Sequence, residues 1–255
     1  MPDSVRGSAP EGSPPSHFCR YEFKYRLPRG LASTVRACVA AHLPQDGYSA
    51  QAPDGHYDIS SLYLDSKDLK LCRESLAGQK NRFKLRVRGY DDDPDEPVYL
   101  EIKRRLNTVI VKDRAAIDRD RLMDFADGGG VWTGSATRQF ELYRNLLVAR
   151  PQVLIRYRRE AFESHGPNRV RVTFDRDLST RVCHQWRVDV HTGTWRRVLA
   201  DTVVLEIKFD GCFPAWVQDL VRRFQLQAQS VSKYCLGLHA CTPTATGLLA
   251  RAEAS

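Results

Sequence analysis

The segment KNRFKLRVR, residues 80 to 88, places Lys80, Arg82, Lys84, Arg86 and Arg88 at every second position, with Phe83, Leu85 and Val87 in between. Successive side chains of a β-strand point to opposite faces, so the run has one apolar face and one wholly cationic face, its charges roughly 6 to 7 Å apart. Five like charges on one face repel each other. A single strand of this kind is explained as an edge, where lysine and arginine block pairing with other chains. What decides is whether other strands share the pattern.

They do. Eight segments read as strands: 18 to 27, 57 to 65, 80 to 90, 98 to 105, 108 to 117, 152 to 163, 168 to 176 and 202 to 209. The first offers Arg20, Glu22, Lys24 and Arg26 on one face. VYLEIKRR sets Glu101, Lys103 and Arg105 opposite Leu100 and Ile102, and NTVIVKDRAAI places Lys112 and Arg114 with Ile110. NRVRVTFD sets Arg169, Arg171, Thr173 and Asp175 opposite Val170, Val172 and Phe174, and VVLEIKFD sets Glu206 and Lys208 opposite Leu205, Ile207 and Phe209. In VLIRYRREAF, alternation alone leaves open whether Tyr157 and Arg159, or Arg156 and Arg158, belong to the charged face. A further hairpin is expected over 182 to 199, and helical patterns begin at Leu31, Ser66, Ser135 and Pro214.

An open sheet with one wet face would mix its charges with Thr, Ser and Gln. These faces are too basic for that. An α+β fold fits better, an eight-stranded antiparallel β-barrel with helices packed outside and the charged faces lining a central tunnel. Cations crowded into such a tunnel repel strongly unless a polyanion and some carboxylates balance them. The tunnel therefore predicts a tri- or polyphosphate ligand, and carboxylates such as Glu22 and Glu101 suit a divalent cation bridging its oxygens.

The net charge of +8 over 255 residues agrees with a polyanionic partner without choosing one. Nucleic acid is disfavoured: single-strand binders need aromatic platforms among the cations, and Phe83 falls on the opposite face. The seven cysteines form no CxxC pair, which points to a reduced, cytoplasmic protein. No apolar run approaches the roughly 18 to 20 residues of a membrane span. Residues 1 to 16 and 242 to 255 read as flexible tails around one domain, 17 to 241. DDDPDE, 91 to 96, reads as an acidic solvated turn rather than a cation site.

In this order, RYEFKYRL, SLYLDS, NRFKLRVRGY, LEIKRRLN…VKDR, YRREAF, RVRVTFDRDL, VLEIKF and SKYCLG resemble the polyphosphate-polymerase domain of the vacuolar transporter chaperone (VTC) family, among the triphosphate tunnel metalloenzymes and CYTH-like proteins. The resemblance covers about residues 18 to 240. It implies transfer of the γ-phosphate of ATP to a growing polyphosphate chain with Mn²⁺ or Mg²⁺. Carried over by motif, Lys24, Arg86, Arg88, Lys103, Lys112, Tyr157, Arg159 and Arg171 contact phosphate, Glu206 binds metal, and Lys233 adds a base near the tunnel mouth. Tyr157 and Arg159 are thereby selected as inward-facing. Arg82, Lys84, Arg114 and Lys208 complete the expected substrate-binding set, and Glu22 and Glu101 join Glu206 as expected metal ligands.

Two positions depart from the family pattern. Arg20 replaces the first carboxylate of the superfamily's ExExK signature, and Ser230 stands where the polymerases carry a second lysine. Some family proteins also carry a membrane span, so export of product here implies a membrane-protein partner. The expected activity is a metal-dependent phosphotransferase acting on ATP and on polyphosphate or pyrophosphate. A tripolyphosphatase and a non-catalytic polyphosphate or nucleotide sensor are the alternatives.

Overall fold

The computed structural model of the protein describes residues 20–107, 109–166 and 169–242. The expected tails at 1 to 16 and beyond Thr242, and the side chain of Arg20, lie outside the described residues. The alternating segments form β1 (Arg20–Pro28), β2 (Tyr57–Asp65), β3 (Asn81–Gly89), β4 (Val98–Leu106), β5 (Val109–Ile117), β6 (Arg150–Glu163), β7 (Val170–Val182), the two-residue β8 (Arg196–Arg197) and β9 (Thr202–Asp210). The helices are α1 (Arg29–Ala40), α2 (Gly47–Gln51), α3 (Lys70–Leu76), α4 (Leu122–Ala126), α5 (Ser135–Leu146), α6 (Ala215–Arg223) and α7 (Lys233–Cys241).

The sheet is antiparallel in the order β1-β9-β7-β6-β2-β3-β4-β5, with β8 added to β7. It curls until its first and last strands face each other. Among the described residues no ladder joins β1 to β5; side chains cross the seam instead, Lys103 of β4 reaching Glu22 of β1 at 2.9 Å.

The apolar faces point outward, where two clusters bury them. Val35 and Val39 of α1 and Val217 and Leu220 of α6 cover Leu205, Ile207 and Phe209. Phe125 of α4 and Phe140 of α5 cover Leu85, Val87, Leu100 and Ile102. Each of these fully buried side chains contributes about 1.5–3 kcal/mol.

A third cluster lies inside. Tyr234, Cys235 and Leu238 of α7 pack on Ile59, Tyr63, Val153, Ile155 and Leu178. Of these, Ile59, Tyr63, Val153 and Ile155 share the face of Tyr157 and Arg159, because Tyr57 pairs with Arg159, Ile59 with Tyr157, Ser61 with Ile155 and Tyr63 with Val153. Helix α7 therefore plugs the curled sheet from its inner side. Gly237 permits the approach: a Cβ there would run into Ile155 and come within 3.0 Å of Thr180.

The hairpin expected over 182 to 199 does not form. Only Arg196 and Arg197 pair, with Thr180 and Ser179. The intervening chain is irregular, because its backbone donors go elsewhere: Asp92 accepts the N–H groups of Val190, His191 and Thr192 at 2.5, 2.9 and 3.2 Å. The acidic turn thus anchors this loop, while Trp186 and Trp195 pack against the second cluster.

Candidate functional site

The inner faces enclose a cavity of about 550 Å³ lined by twelve lysine and arginine side chains and two carboxylates, Glu22 and Glu206. Register arranges them in rows. Lys84, Lys103 and Lys112 are cross-strand partners on β3, β4 and β5, and Arg86, Glu101 and Arg114 form the adjacent row. On the other side, Arg171, Lys208 and Glu22 align across β7, β9 and β1, next to Thr173, Glu206 and Lys24.

Lys24, Lys84, Arg86, Arg88, Lys103, Lys112, Arg114, Tyr157, Arg159, Arg171, Lys208, Lys233, Glu22 and Glu206 all border the cavity. Two residues singled out in the sequence do not. Arg82 lines a neighbouring opening of about 320 Å³ with Arg105, Gln229 and Ser230, on the far side of Lys84 and Lys103. Glu101 is fully buried in the wall, where Arg86 (2.6 Å), Lys112 (2.6 Å), Arg114 (3.6 Å) and Arg88 (3.7 Å) surround it. Lys233, expected near the mouth, is instead buried at the start of α7 between Asp175 (2.6 Å) and Glu206 (2.8 Å). Asp175 also takes both arms of the Arg159 guanidinium, at 2.6 and 2.8 Å.

These pairs set the charge states. Burial alone would raise the carboxyl of Glu206, but Lys233, Lys24 and Lys208 override it and hold the group well below the usual carboxylate range. Glu22 behaves alike: burial opposes ionisation, and Lys103 and Lys24 overcome it. Glu101 is also held low against its burial, chiefly by Arg86 and Arg88. The lysines of the first row are undercompensated. Burial pulls Lys103 down to about 7 despite Glu22, and Lys112 to about 8 despite Glu101. Lys84 is lowered by burial too, and among the described residues its ammonium donates to Ser232 Oγ, at 2.8 Å. Such a row leaves room for an anion that would supply the charge neutralisation the protein leaves incomplete.

Among the described residues no three His, Cys, Asp or Glu side chains converge. Glu22 and Glu206 nevertheless flank one ammonium, Lys24, at 3.1 and 3.5 Å, and both are ionised. A pair of hard carboxylates suits Mg²⁺ or Mn²⁺ when phosphate oxygens and water complete the shell, not an all-protein cage. The donor set fits a cation that arrives with its phosphate.

Several participants escape strand-by-strand reading. Arg171 is held by Asp46 and Glu163, each at 2.6 Å, and Asp46 lies in a loop before α2. Tyr48, Tyr57, Tyr63 and Tyr90 also line the cavity. Alternation does flag Tyr57 and Tyr63 as sharing a face, but the one charge that shares it, Asp65, is a carboxylate, and no base on β2 marks that face as the inner one.

The model of the VTC domain matches residues 19–242. Among curated proteins none matches the chain. Solved structures similar to it include a candidate adenylate cyclase from Bacillus halodurans, 9% identical with a TM-score of 0.47, covering 84% of this chain and 95% of that one. Another is a candidate adenylyl cyclase from Hippeastrum with a dominant triphosphatase activity, 14% identical with a TM-score of 0.47, covering 88% and 97%. A protein from Pyrococcus horikoshii is 11% identical, with a TM-score of 0.43 and coverage of 85% and 97%. With nearly the whole described chain inside the family match, this protein belongs to the VTC domain family.

Proposed function

We propose that the chain is a polyphosphate polymerase that transfers the γ-phosphoryl group of ATP to the terminal oxygen of polyphosphate or pyrophosphate. The observation that carries this reading is the state of the tunnel carboxylates. Glu22, Glu101, Asp175 and Glu206 are each clasped by two or more cations, and each is held below the usual carboxylate range although burial opposes it. Groups so acidic are poor general bases near neutral pH. Hydrolysis needs a base to deprotonate water, whereas a terminal phosphate oxygen is already ionised.

In this reading the acceptor oxygen attacks the γ-phosphorus, the bond from that phosphorus to the bridging oxygen of the β-phosphate breaks, and ADP leaves with that oxygen. The protein positions two polyanions in line and neutralises them, which is most of what phosphoryl transfer asks of a protein. Lys24, Arg86, Arg88, Lys103, Arg159 and Arg171 take the reacting phosphates. Lys84, Lys112, Arg114, Lys208, Lys233 and Tyr157 hold the flanking ones, and Arg82 meets the chain in the second opening. Glu206 and Glu22 would hold the divalent cation, which would supply Lewis-acid neutralisation of the phosphate oxygens. Glu101 neutralises the arginines behind the cavity. Neither Arg20 nor Ser230 is needed for this set.

The test is Glu22→Gln with γ-labelled ATP, following label into chains and into free phosphate. A polymerase keeps the partition of label between chains and free phosphate even where the weakened cation site slows both; a selective loss of phosphate release, on the 10²–10⁴-fold scale of a removed general base, contradicts the reading.

A further inference from the structure

The rim of the cavity carries an aromatic surface that phosphate binding does not use. Tyr48 of α2, Tyr57 of β2 and Tyr90, just after β3, form a ring cluster at the cavity edge. Tyr48 lies 5.5 Å from Tyr57 and 6.1 Å from Tyr90, the latter pair within 8° of parallel. Arg114 extends the surface, its guanidinium 3.6 Å over Tyr99 and 5.5 Å over Tyr90, with a hydrogen bond of 3.2 Å to the Tyr90 hydroxyl.

Tyr48 is 65% exposed and belongs to none of the three apolar clusters, so folding does not account for its position. Its helix is nevertheless fixed. Asp46 caps α2 by accepting the Ser49 N–H at 2.8 Å, and Ser49 Oγ accepts the Ala161 N–H at 2.9 Å. The other carboxylate oxygen of Asp46 takes Arg171 at 2.6 Å, so the ring and a phosphate-facing guanidinium share one anchor. Along β3 and into the residue that follows it, the order Arg86, Arg88, Tyr90 moves two residues at a time from cations to ring, about 7 Å per step in extended chain. That step matches the ribose that separates a nucleotide's phosphates from its base.

We infer that Tyr48, Tyr57 and Tyr90, with Arg114, form a stacking site for the base of a nucleoside triphosphate whose phosphates enter the tunnel. The site lets the protein prefer a nucleotide donor over inorganic tripolyphosphate at the same cations. This rests on the polymerase reading only for the use of a nucleotide. Stacking is tolerant of base identity, since every base presents a π face.

The experiment is calorimetric titration of wild type, Tyr48→Ala, Tyr48→Phe and Tyr48→Ala/Tyr90→Ala with β,γ-imido ATP and, separately, with tripolyphosphate. Tyr48→Ala should weaken the nucleotide about tenfold, and the double variant further, with tripolyphosphate unchanged within twofold. Tyr48→Phe should bind as wild type does, because the ring rather than the hydroxyl carries the contact. Equal losses for both ligands, or no loss for the nucleotide, overturn the inference. Chain synthesis by the wild type is measured in parallel. If it is absent while the nucleotide-selective loss holds, the polymerase reading fails and the stacking site stands; synthesis with no selective loss is the reverse case.

Discussion

Glu206 shows how one buried carboxylate organises the tunnel: Lys233, Lys208 and Lys24 stand 2.8, 3.1 and 3.5 Å from it. Glu206→Ala removes their common counter-charge, so the folded chain should lose about 3–5 kcal/mol in urea unfolding, the cost of leaving buried charges unpaired. Tripolyphosphate should then raise Tm more for the variant than for wild type; equal shifts would contradict this account. With Lys112 following near 8, Lys103 leads the pH response. Below pH 7 it is charged in both folded and unfolded chains. Between about 7 and its ordinary 10.5 the folded chain has released the proton and the unfolded chain has not, so stability rises with pH over that window. Polyanion affinity moves the opposite way, falling above pH 7 by up to about tenfold per unit as the free site loses charge. Lys103→Arg should flatten that slope, and an unchanged slope in titrations at pH 6.5 to 8.5 would assign it elsewhere.

At the level of elements, α7 matters most and was least legible. KYCLGLHAC has no apolar stripe because Lys233, Tyr234, Cys235, Gly237 and Leu238 are all buried, some against apolar strands and one against carboxylates. Periodicity detects helices with one wet face, so this one passed unread even though its lysine was singled out. Gly237→Ala should cost about 1–3 kcal/mol by overpacking against Ile155 and Thr180, read as a lower urea midpoint; an unchanged midpoint would mean the plug is not tightly seated. Most of the strands were legible for the opposite reason: they have one packed and one charged face, a period of two that sequence displays directly, whereas β2 lacks a basic face and β6 carries arginines on both. The 182 to 199 segment misled because Val188, Val190 and Trp195 suggest strands, while Asp92, about a hundred residues upstream, takes its backbone donors.

At the level of the molecule, most of the cationic lining was readable because most strands contribute their own share, β2 lining the cavity with Tyr57, Ile59 and Tyr63 instead. Features built from several distant segments were not: the Asp46–Arg171 pair, the tyrosine rim and the side-chain seam between the first and last strands all depend on where the sheet curls. Ion pairing is equally hidden. Glu101 pairs with Arg86, as its neighbours on the charged face allow, but Lys103 turns across the seam to Glu22. No helix among the described residues is long and apolar enough to cross a membrane. The central claim is that this lining joins phosphates rather than hydrolysing them. The direct measurement is incubation of the purified protein with ATP and Mn²⁺, with and without pyrophosphate, and separation of products by length. The account predicts long chains accompanied by ADP. Free phosphate without chains, or tight polyphosphate binding without any turnover, would contradict it.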